Sequence, residues 1–271
     1  MIETIRFHPF PVSGIDVMTA VSARSFPRHT HDQYGIGVVD GGGHAWWSDR
    51  GRFEAGPGRL ISLNPGEVHD GWAIGSQPRS WRMLYIEPSL MENSLADIGE
   101  GAGAPFTFAP AAFSDPRVAS FLDRAYRGAS VPMTPANAMA CEVVILRLVA
   151  RLRQHATEGR RLHDTALTAC VRRVRAKIDA DPAAPYTLVE LAKEAGLSRY
   201  QLIRGFAREV GLTPHAYIVQ RRIALARRLI KARNDLTETA LMSGFFDQSH
   251  LTRCFVKQFG VTPGRYASQV R

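Results

Sequence analysis

The stretch from Thr187 to Pro214, TLVELAKEAGLSRYQLIRGFAREVGLTP, and the stretch from Asp235 to Pro263, DLTETALMSGFFDQSHLTRCFVKQFGVTP, carry one pattern twice. Gly196-Leu197 recurs as Gly244-Phe245, Leu202 as Leu251, and Phe206 as Phe255. Gly211-Leu212-Thr213-Pro214 recurs as Gly260-Val261-Thr262-Pro263. Ordered matches of this kind mark a duplicated supersecondary unit. Each copy reads as helix, tight turn, helix. In the first, Thr187 with Glu190 forms a capping box, and Ser198 with Gln201 forms another. Leu188, Leu191, Ala192 and Ala195 supply an apolar face, and Gly196 ends the first helix because glycine tolerates the left-handed conformation. In the second copy Asp235 with Glu238 opens one helix and Asp247 caps the next. Leu202 and Phe206, like Leu251 and Phe255, stand four apart and anchor the second helix of each copy to its partner. Small residues at Ala192 and Ala240 let the paired helices cross closely.

With those anchors inside, the remaining positions of each second helix face outward. They are Arg199, Tyr200, Ile203, Arg204 and Arg208 in the first copy. In the second they are Gln248, Ser249, His250, Thr252, Arg253 and Lys257. Arginine and glutamine on a projecting helix suit guanine and adenine edges in a major groove, and helix N-termini suit phosphate. Between the copies, Val219, Ile223, Ala226 and Ile230 form one apolar stripe from Pro214 to Ala232, with Arg221, Arg228 and Lys231 expected on the other side. A helix of that length spans about 28 Å, against about 34 Å for one turn of duplex DNA. Two reading heads held this way fit successive major grooves.

The charge is distributed to match. From Thr165 to Arg271 there are 18 Lys and Arg against 8 Asp and Glu, whereas the preceding residues hold 16 against 17. The whole positive excess sits in the repeat-bearing part, as expected of a polyanion-binding module joined to a neutral partner. The segment from about Tyr186 to Ala267 closely resembles the DNA-binding domain of AraC/XylS-type transcription regulators. The resemblance is carried by Leu191-Ala192-Lys193-Glu194-Ala195-Gly196-Leu197-Ser198, by the run from Gly244 to Phe255, and by Phe259-Gly260-Val261-Thr262-Pro263. It implies a promoter-binding regulator, an activator that contacts RNA polymerase. It makes Tyr200, Ile203, Arg204, Gln248, Ser249, Thr252 and Arg253 the matching DNA-facing positions. Ile203 departs from a polar reader and suits a thymine methyl or shape alone.

The first 90 residues have a different texture. Runs such as Ile15 to Val21, Tyr34 to Val39, His44 to Trp47, Leu60 to Leu63 and Trp81 to Ile86 alternate with turn signals at Gly41-Gly42-Gly43 and Asp49-Arg50-Gly51. This is the pattern of an antiparallel sandwich or barrel. Phe26-Pro27-Arg28-His29-Thr30-His31 and Asn64-Pro65-Gly66-Glu67-Val68-His69 resemble the two motifs of a cupin barrel, an effector domain often joined to this DNA-binding type. The expected architecture is therefore α+β. It comprises a cupin-like β-barrel over residues 1–100, a helical linker over 101–164 and an all-α domain with two helix-turn-helix units over 165–271. Gly99 to Pro110 reads as connecting chain. In the linker, Val118, Phe121, Leu122 and Ala125 share one face. Val143, Leu146 and Ala150 share another that would serve as core or as a homodimer contact.

Three uses of the barrel histidines stay open. A small-molecule pocket would be lined by His29, His31, Tyr34, Trp46, His69, Trp72 and Arg82. Alternatively His29, His31 and His69 would hold a divalent metal through three nitrogens, since residues two apart on a strand face one way. Third, the histidines would be structural. Asp32, Gln33 and Tyr34 stand where a cupin metal site would carry glutamate, which argues against the rival reading of a cupin enzyme with a basic accessory tail. A regulator with no catalytic activity is the expectation. Met1 to Phe10 shows no secretory pattern, no apolar run spans a bilayer, and Cys141, Cys170 and Cys254 form no paired motif. These features place the protein in the cytoplasm, away from membranes.

Overall fold

A computed structural model describes residues 3–99, 106–156 and 166–270. The expected boundaries at 100/101 and 164/165 lie outside the described residues, as do residues 100–105 of the Gly99–Pro110 stretch. The chain divides into two compact units, the first built mainly from residues up to 160 and the second from residues beyond it. Each is described by itself.

The first unit is antiparallel wherever its register is defined, and it consists of two sheets rather than one closed ring of strands. The larger sheet has the order β1 (Thr4–His8), β2 (Ile15–Ser22), β9 (Arg79–Ile86), β4 (Tyr34–Gly41), β7 (Leu60–Leu63) and β10 (Ala112–Phe113). The smaller runs β3 (Phe26–His29), β8 (His69–Ile74), β5 (Gly43–Ser48) and β6 (Gly51–Ala55). The predicted turns are present, with Gly42 at φ 69° between β4 and β5. His69 opens β8.

Three helices follow the chain out of the sheets: α1 (Pro88–Asp97), α2 (Pro116–Ala129) and α3 (Pro135–Leu152). They bury one face of the larger sheet. Tyr34, Ile36 and Val38 of β4 and Leu84 and Ile86 of β9 share a core with Val118, Leu122 and Ala125 of α2 and Ile145, Leu148 and Leu152 of α3. Phe106 and Phe108 complete it, and the Phe106 carbonyl accepts the Tyr34 hydroxyl at 2.7 Å. The described end of the supposed connecting chain is thus core. In α3 the buried stripe is Cys141, Ile145, Leu148, Val149 and Leu152. Val143 and Ala150 are exposed and Leu146 is half-buried, so this face is not part of the core, which leaves the homodimer contact as its other expected use.

The second unit is helical: α4 (Ala166–Ala180), α5 (Leu188–Ala195), α6 (Arg199–Val210), α7 (Pro214–Lys231), α8 (Leu236–Met242), α9 (Gln248–Phe259) and α10 (Pro263–Val270). The caps are those expected. Thr187 with Glu190 and Ser198 with Gln201 are complete capping boxes. Asp235 accepts from the amides of Thr237 and Glu238, and Asp247 from that of His250. Gly211 and Gly260 end α6 and α9 in left-handed geometry. On α7, Ile223, Ala226 and Ile230 are buried, with Tyr217 and Ile218. Arg221 is not outside as expected: it lies within 2.9 Å of the Asp179 carboxylate on α4 and is largely covered.

The two turn glycines differ. Gly196 (φ 67°) has nothing within 4 Å of a notional Cβ. At Gly244 (φ 80°) that carbon would lie 2.7 Å from the Ala183 carbonyl oxygen and 2.8 Å from Arg222 Nε. Gly196→Ala should therefore cost only the left-handed conformational term, about 1 kcal/mol. Gly244→Ala adds a backbone clash and should cost about 2–3 kcal/mol. Thermal unfolding of the two variants side by side checks the ordering.

Candidate nucleic-acid interface and ligand site

The two second helices present their residues as the anchors dictate. Leu202, Phe206, Leu251 and Phe255 are fully buried. Arg199, Tyr200, Arg204 and Arg208 of α6, and Gln248, Ser249, Arg253 and Lys257 of α9, are exposed. Ile203 and Thr252 are half-buried at the helix flanks. His250 is half-buried too, its ring edge-on to Phe245 at 5.2 Å, so it packs its own turn. The Arg204 guanidinium lies over the Tyr200 ring at 5.4 Å, which pre-orders two candidate reading groups. Arg208 is held by Glu209 at 2.8 Å, which offsets its charge. Gln248 accepts from the Thr237 hydroxyl at 3.3 Å, tying α8 to α9. Within the helical unit, the 18 residues of α7 span about 27 Å between the two helix-turn-helix copies.

Inside the β unit the expected lining splits by strand parity. Residues one apart on a strand face opposite sides. Tyr34 and Arg82 belong to the face of the larger sheet covered by helices. Tyr34 packs on Phe106, and Arg82 bonds Asp40 at 2.7 and 2.8 Å and Asp123 at 2.8 Å, over the Tyr126 ring. Burial would lower the Arg82 pKa, but these two carboxylates outweigh it and hold the group firmly charged. Trp72 pairs with Ala45 and lies on the opposite face of its sheet from His69. These three residues do not join the histidines.

The others do come together. His29, His31 and His69 are all buried, and one ring nitrogen from each lies within 4.8 Å of the others. The His31 ring lies 5.2 Å from that of His69 and 5.0 Å from that of Tyr85. His29 Nδ1 is 2.7 Å from the Pro27 carbonyl oxygen, and His69 Nδ1 is 3.1 Å from that of Glu67. Burial keeps His69 neutral, its pKa lowered to about 4. The turn that carries it is anchored. The Glu67 carboxylate takes Arg50 at 2.8 Å and the Asn64 amide at 3.0 Å, and the Gly66 amide donates to the His31 carbonyl at 2.7 Å.

Trp46 is buried beside a fourth histidine that the sequence did not single out. The His44 ring stands edge-on to Trp46 at 5.4 Å and to Trp81 at 5.5 Å. Arg79 Nε donates to His44 Nδ1 at 3.1 Å, and its guanidinium lies 4.7 Å above the Trp81 ring. Arg79 is wholly buried, and burial lowers its pKa to about 10. Burial and the neighbouring Arg79 and His69 lower His44 to about 3. Among the described residues, Arg79 Nη2 and Trp46 Nε1 have no hydrogen-bond partner. A buried arginine at the start of a strand is invisible to hydropathy patterning, so neither Arg79 nor His44 stands out in the sequence.

Two helix-turn-helix heads on a shared helix, joined to a two-sheet unit with a histidine-lined interior, define a ligand-responsive DNA-binding protein. The sequence comparisons carry this further. The AraC-like ligand binding domain matches residues 17–183, and a helix-turn-helix domain matches residues 191–269. The chain belongs to the AraC family of transcriptional regulators. It is 27% identical over 229 residues to the uncharacterized HTH-type transcriptional regulator YbfI of Bacillus subtilis, covering 84% of this chain and 82% of that one. It is 26% identical over 136 residues to the HTH-type transcriptional activator RhaR of Klebsiella pneumoniae, covering 50% of this chain and 48% of that one. The fold resembles that of unsaturated fatty acid-bound ToxT from Vibrio cholerae, with a TM-score of 0.55 at 13% identity, across 99% of this chain and 95% of that one. No helix among the described residues is long and apolar enough to cross a membrane.

Proposed function

We propose that this regulator recognises specific DNA sequences through α6 and α9 as an activator, and that its effector binds in the interior of the β unit. The observation that carries the first part is the exposure of Arg204 and Arg253 at equivalent faces of duplicated, identically anchored helices. Tyr200, Gln248, Ser249 and Thr252 would complete base contact, and Arg199, Arg208 and Lys257 would meet phosphate. Ile203 would meet a thymine methyl, with His250 supporting its turn. On the ligand side His29, His31, Trp46 and His69, with His44 and Arg79, would face the effector, while Tyr34, Trp72 and Arg82 would not. The protein would act without catalysis, in the cytoplasm, with RNA polymerase as partner. A homodimer would form through the outer face of α3, where Met139 and Val143 stand exposed. Residues 1–100, 101–164 and 165–271 would divide these tasks.

Selection of duplexes from a random pool, followed by footprinting, tests the DNA reading. Two protected half-sites about one helical turn apart are expected. Arg204→Ala and Arg253→Ala should each cost about 1–3 kcal/mol on the selected duplex and far less on random DNA. An equal loss on both would reduce these residues to phosphate contacts.

A further inference from the structure

Among the described residues no other charged side chain is as completely buried as Arg79. Its Nε donates to His44 Nδ1 at 3.1 Å and its Nη1 to the Arg24 carbonyl oxygen at 3.0 Å, but Nη2 has no hydrogen-bond partner. The acid whose charge reaches it, Glu3, accepts the Ser22 hydroxyl at 2.9 Å instead. A buried guanidinium bonded only to neutral groups is costly unless something else brings the counter-charge. Trp46 Nε1, also buried, is a second donor without a partner. The His44 ring links the two, bonded to Arg79 and edge-on to Trp46 at 5.4 Å. Since His44 Nδ1 accepts from Arg79, the hydrogen of this neutral ring sits on Nε2 and makes a third donor. Three groups that offer hydrogens, with one positive charge among them, match a monoanion.

The surroundings leave space at this edge and make it apolar. Gly71 on β8 has no left-handed backbone that would call for glycine, yet a Cβ there would lie 3.3 Å from His44 Nε2. The missing side chain keeps that nitrogen uncovered. Met83, two residues beyond Trp81 on the same face of β9, has its sulfur where a Cβ on Gly37 would stand. An unbranched thioether lying across a glycine can swing aside. The guanidinium lies 4.7 Å from the centre of the Trp81 ring and 5.7 Å from that of Phe26, and Trp46 packs on Phe53 at 5.5 Å. A planar guanidinium edge suits a carboxylate, and the rings beside it suit an apolar body.

We propose that Arg79, Trp46 and His44 form a carboxylate-recognising site inside the β unit, and that the effector is a monocarboxylic acid with an apolar body lying against Trp46 and Trp81. The proposal rests on the ligand-responsive regulator described under Proposed function. The test titrates the full chain by calorimetry with phenylacetate, indole-3-acetate and octanoate, each beside its own carboxamide, and with phenyl phosphate. One acid per chain is expected, held at least about 10-fold more tightly than its amide, because the amide turns a donor towards Arg79. Absence of saturable binding by every acid, equal binding of acid and amide, or preference for phenyl phosphate would overturn the site without recourse to variants. Trp46→Phe removes one donor and keeps an aromatic ring, and should weaken the acid by about 5-fold or more while leaving the amide unchanged. Arg79→Met should abolish the preference for acid over amide, and a preference that survives it would overturn the role of Arg79. The bound acid should change the affinity for a selected duplex by at least about 5-fold, and equal affinities would overturn its role as effector. Selection of a specific duplex by the acid-free chain separates the two ideas. If selection succeeds while no acid binds, this proposal alone falls; if no duplex is ever selected, with or without acid, the regulator reading falls.

Discussion

Phe255→Ala is expected to remove about 3–5 kcal/mol of stability from the helical unit and, with it, specific DNA binding. The Phe255 side chain of α9 is fully buried. Its ring lies 4.7 Å from that of Phe259 and 5.4 Å from that of Tyr266. Truncation loses the transfer free energy of the ring and leaves a cavity that the packed surroundings close only in part. Because a domain holds only about 5–15 kcal/mol in total, most of its margin goes. The duplication supplies an internal control. Phe206 occupies the equivalent place, fully buried and 5.5 Å from the Tyr217 ring, so Phe206→Ala should cost a similar amount. Denaturant unfolding of both variants measures this, and a loss under about 1 kcal/mol at either site would mean that the two copies are not built alike.

Asp115→Ala should cost about 3–4 kcal/mol in the β unit, from three losses at one buried carboxylate. Oδ1 caps α2 by accepting from the amides of Arg117 and Val118, at 2.9 and 3.3 Å. Oδ2 accepts from Arg151 at 2.7 Å and His155 at 2.8 Å, which ties the start of α2 to the end of α3. A cap is worth about 1 kcal/mol. Each charge-assisted bond adds about 1.5–3 kcal/mol, less where solvent reaches the partner, as it does at Arg151 and His155. Burial by itself would raise the Asp115 pKa. The bonds from His155 and Arg151, with the two amides, outweigh burial and bring it down to about 2, against 3.8 for an unperturbed aspartate. Since the folded value is the lower one, this stabilisation is complete above about pH 4 and drains away as pH falls towards 2. Acid titration of unfolding should therefore be flatter below pH 4 in Asp115→Asn than in the parent chain. Identical slopes would show that the carboxylate does not carry the linkage.

What was legible in the sequence, and what was not, follows from how far each interaction reaches. The caps of α5, α6, α8 and α9 join a side chain to an amide two or three residues away, so Thr187, Ser198, Asp235 and Asp247 announce them in one dimension. The outward set on α6 and α9 is also local, because once Leu202, Phe206, Leu251 and Phe255 are inside, helical geometry fixes the rest. The β unit resists the same treatment. Tyr34 to Val39 is buried at every position, between helices on one side and the second sheet on the other. Alternation vanishes when both faces are covered. Nothing in the order of residues then says that Tyr34 and Arg82 turn towards α2 while Tyr85 turns towards His31.

The sequence by itself determined the duplicated reading heads, their caps, the separation of charge and the family. The packing of sheet against helix decided which residues meet: it gathered His29, His31 and His69, excluded Tyr34, Trp72 and Arg82, and enclosed Arg79 against His44. The physical reason is distance along the chain. A helix cap is settled within one turn, whereas Arg79 and His44, 35 residues apart, meet only because two strands are brought together by a core that neither of them encodes.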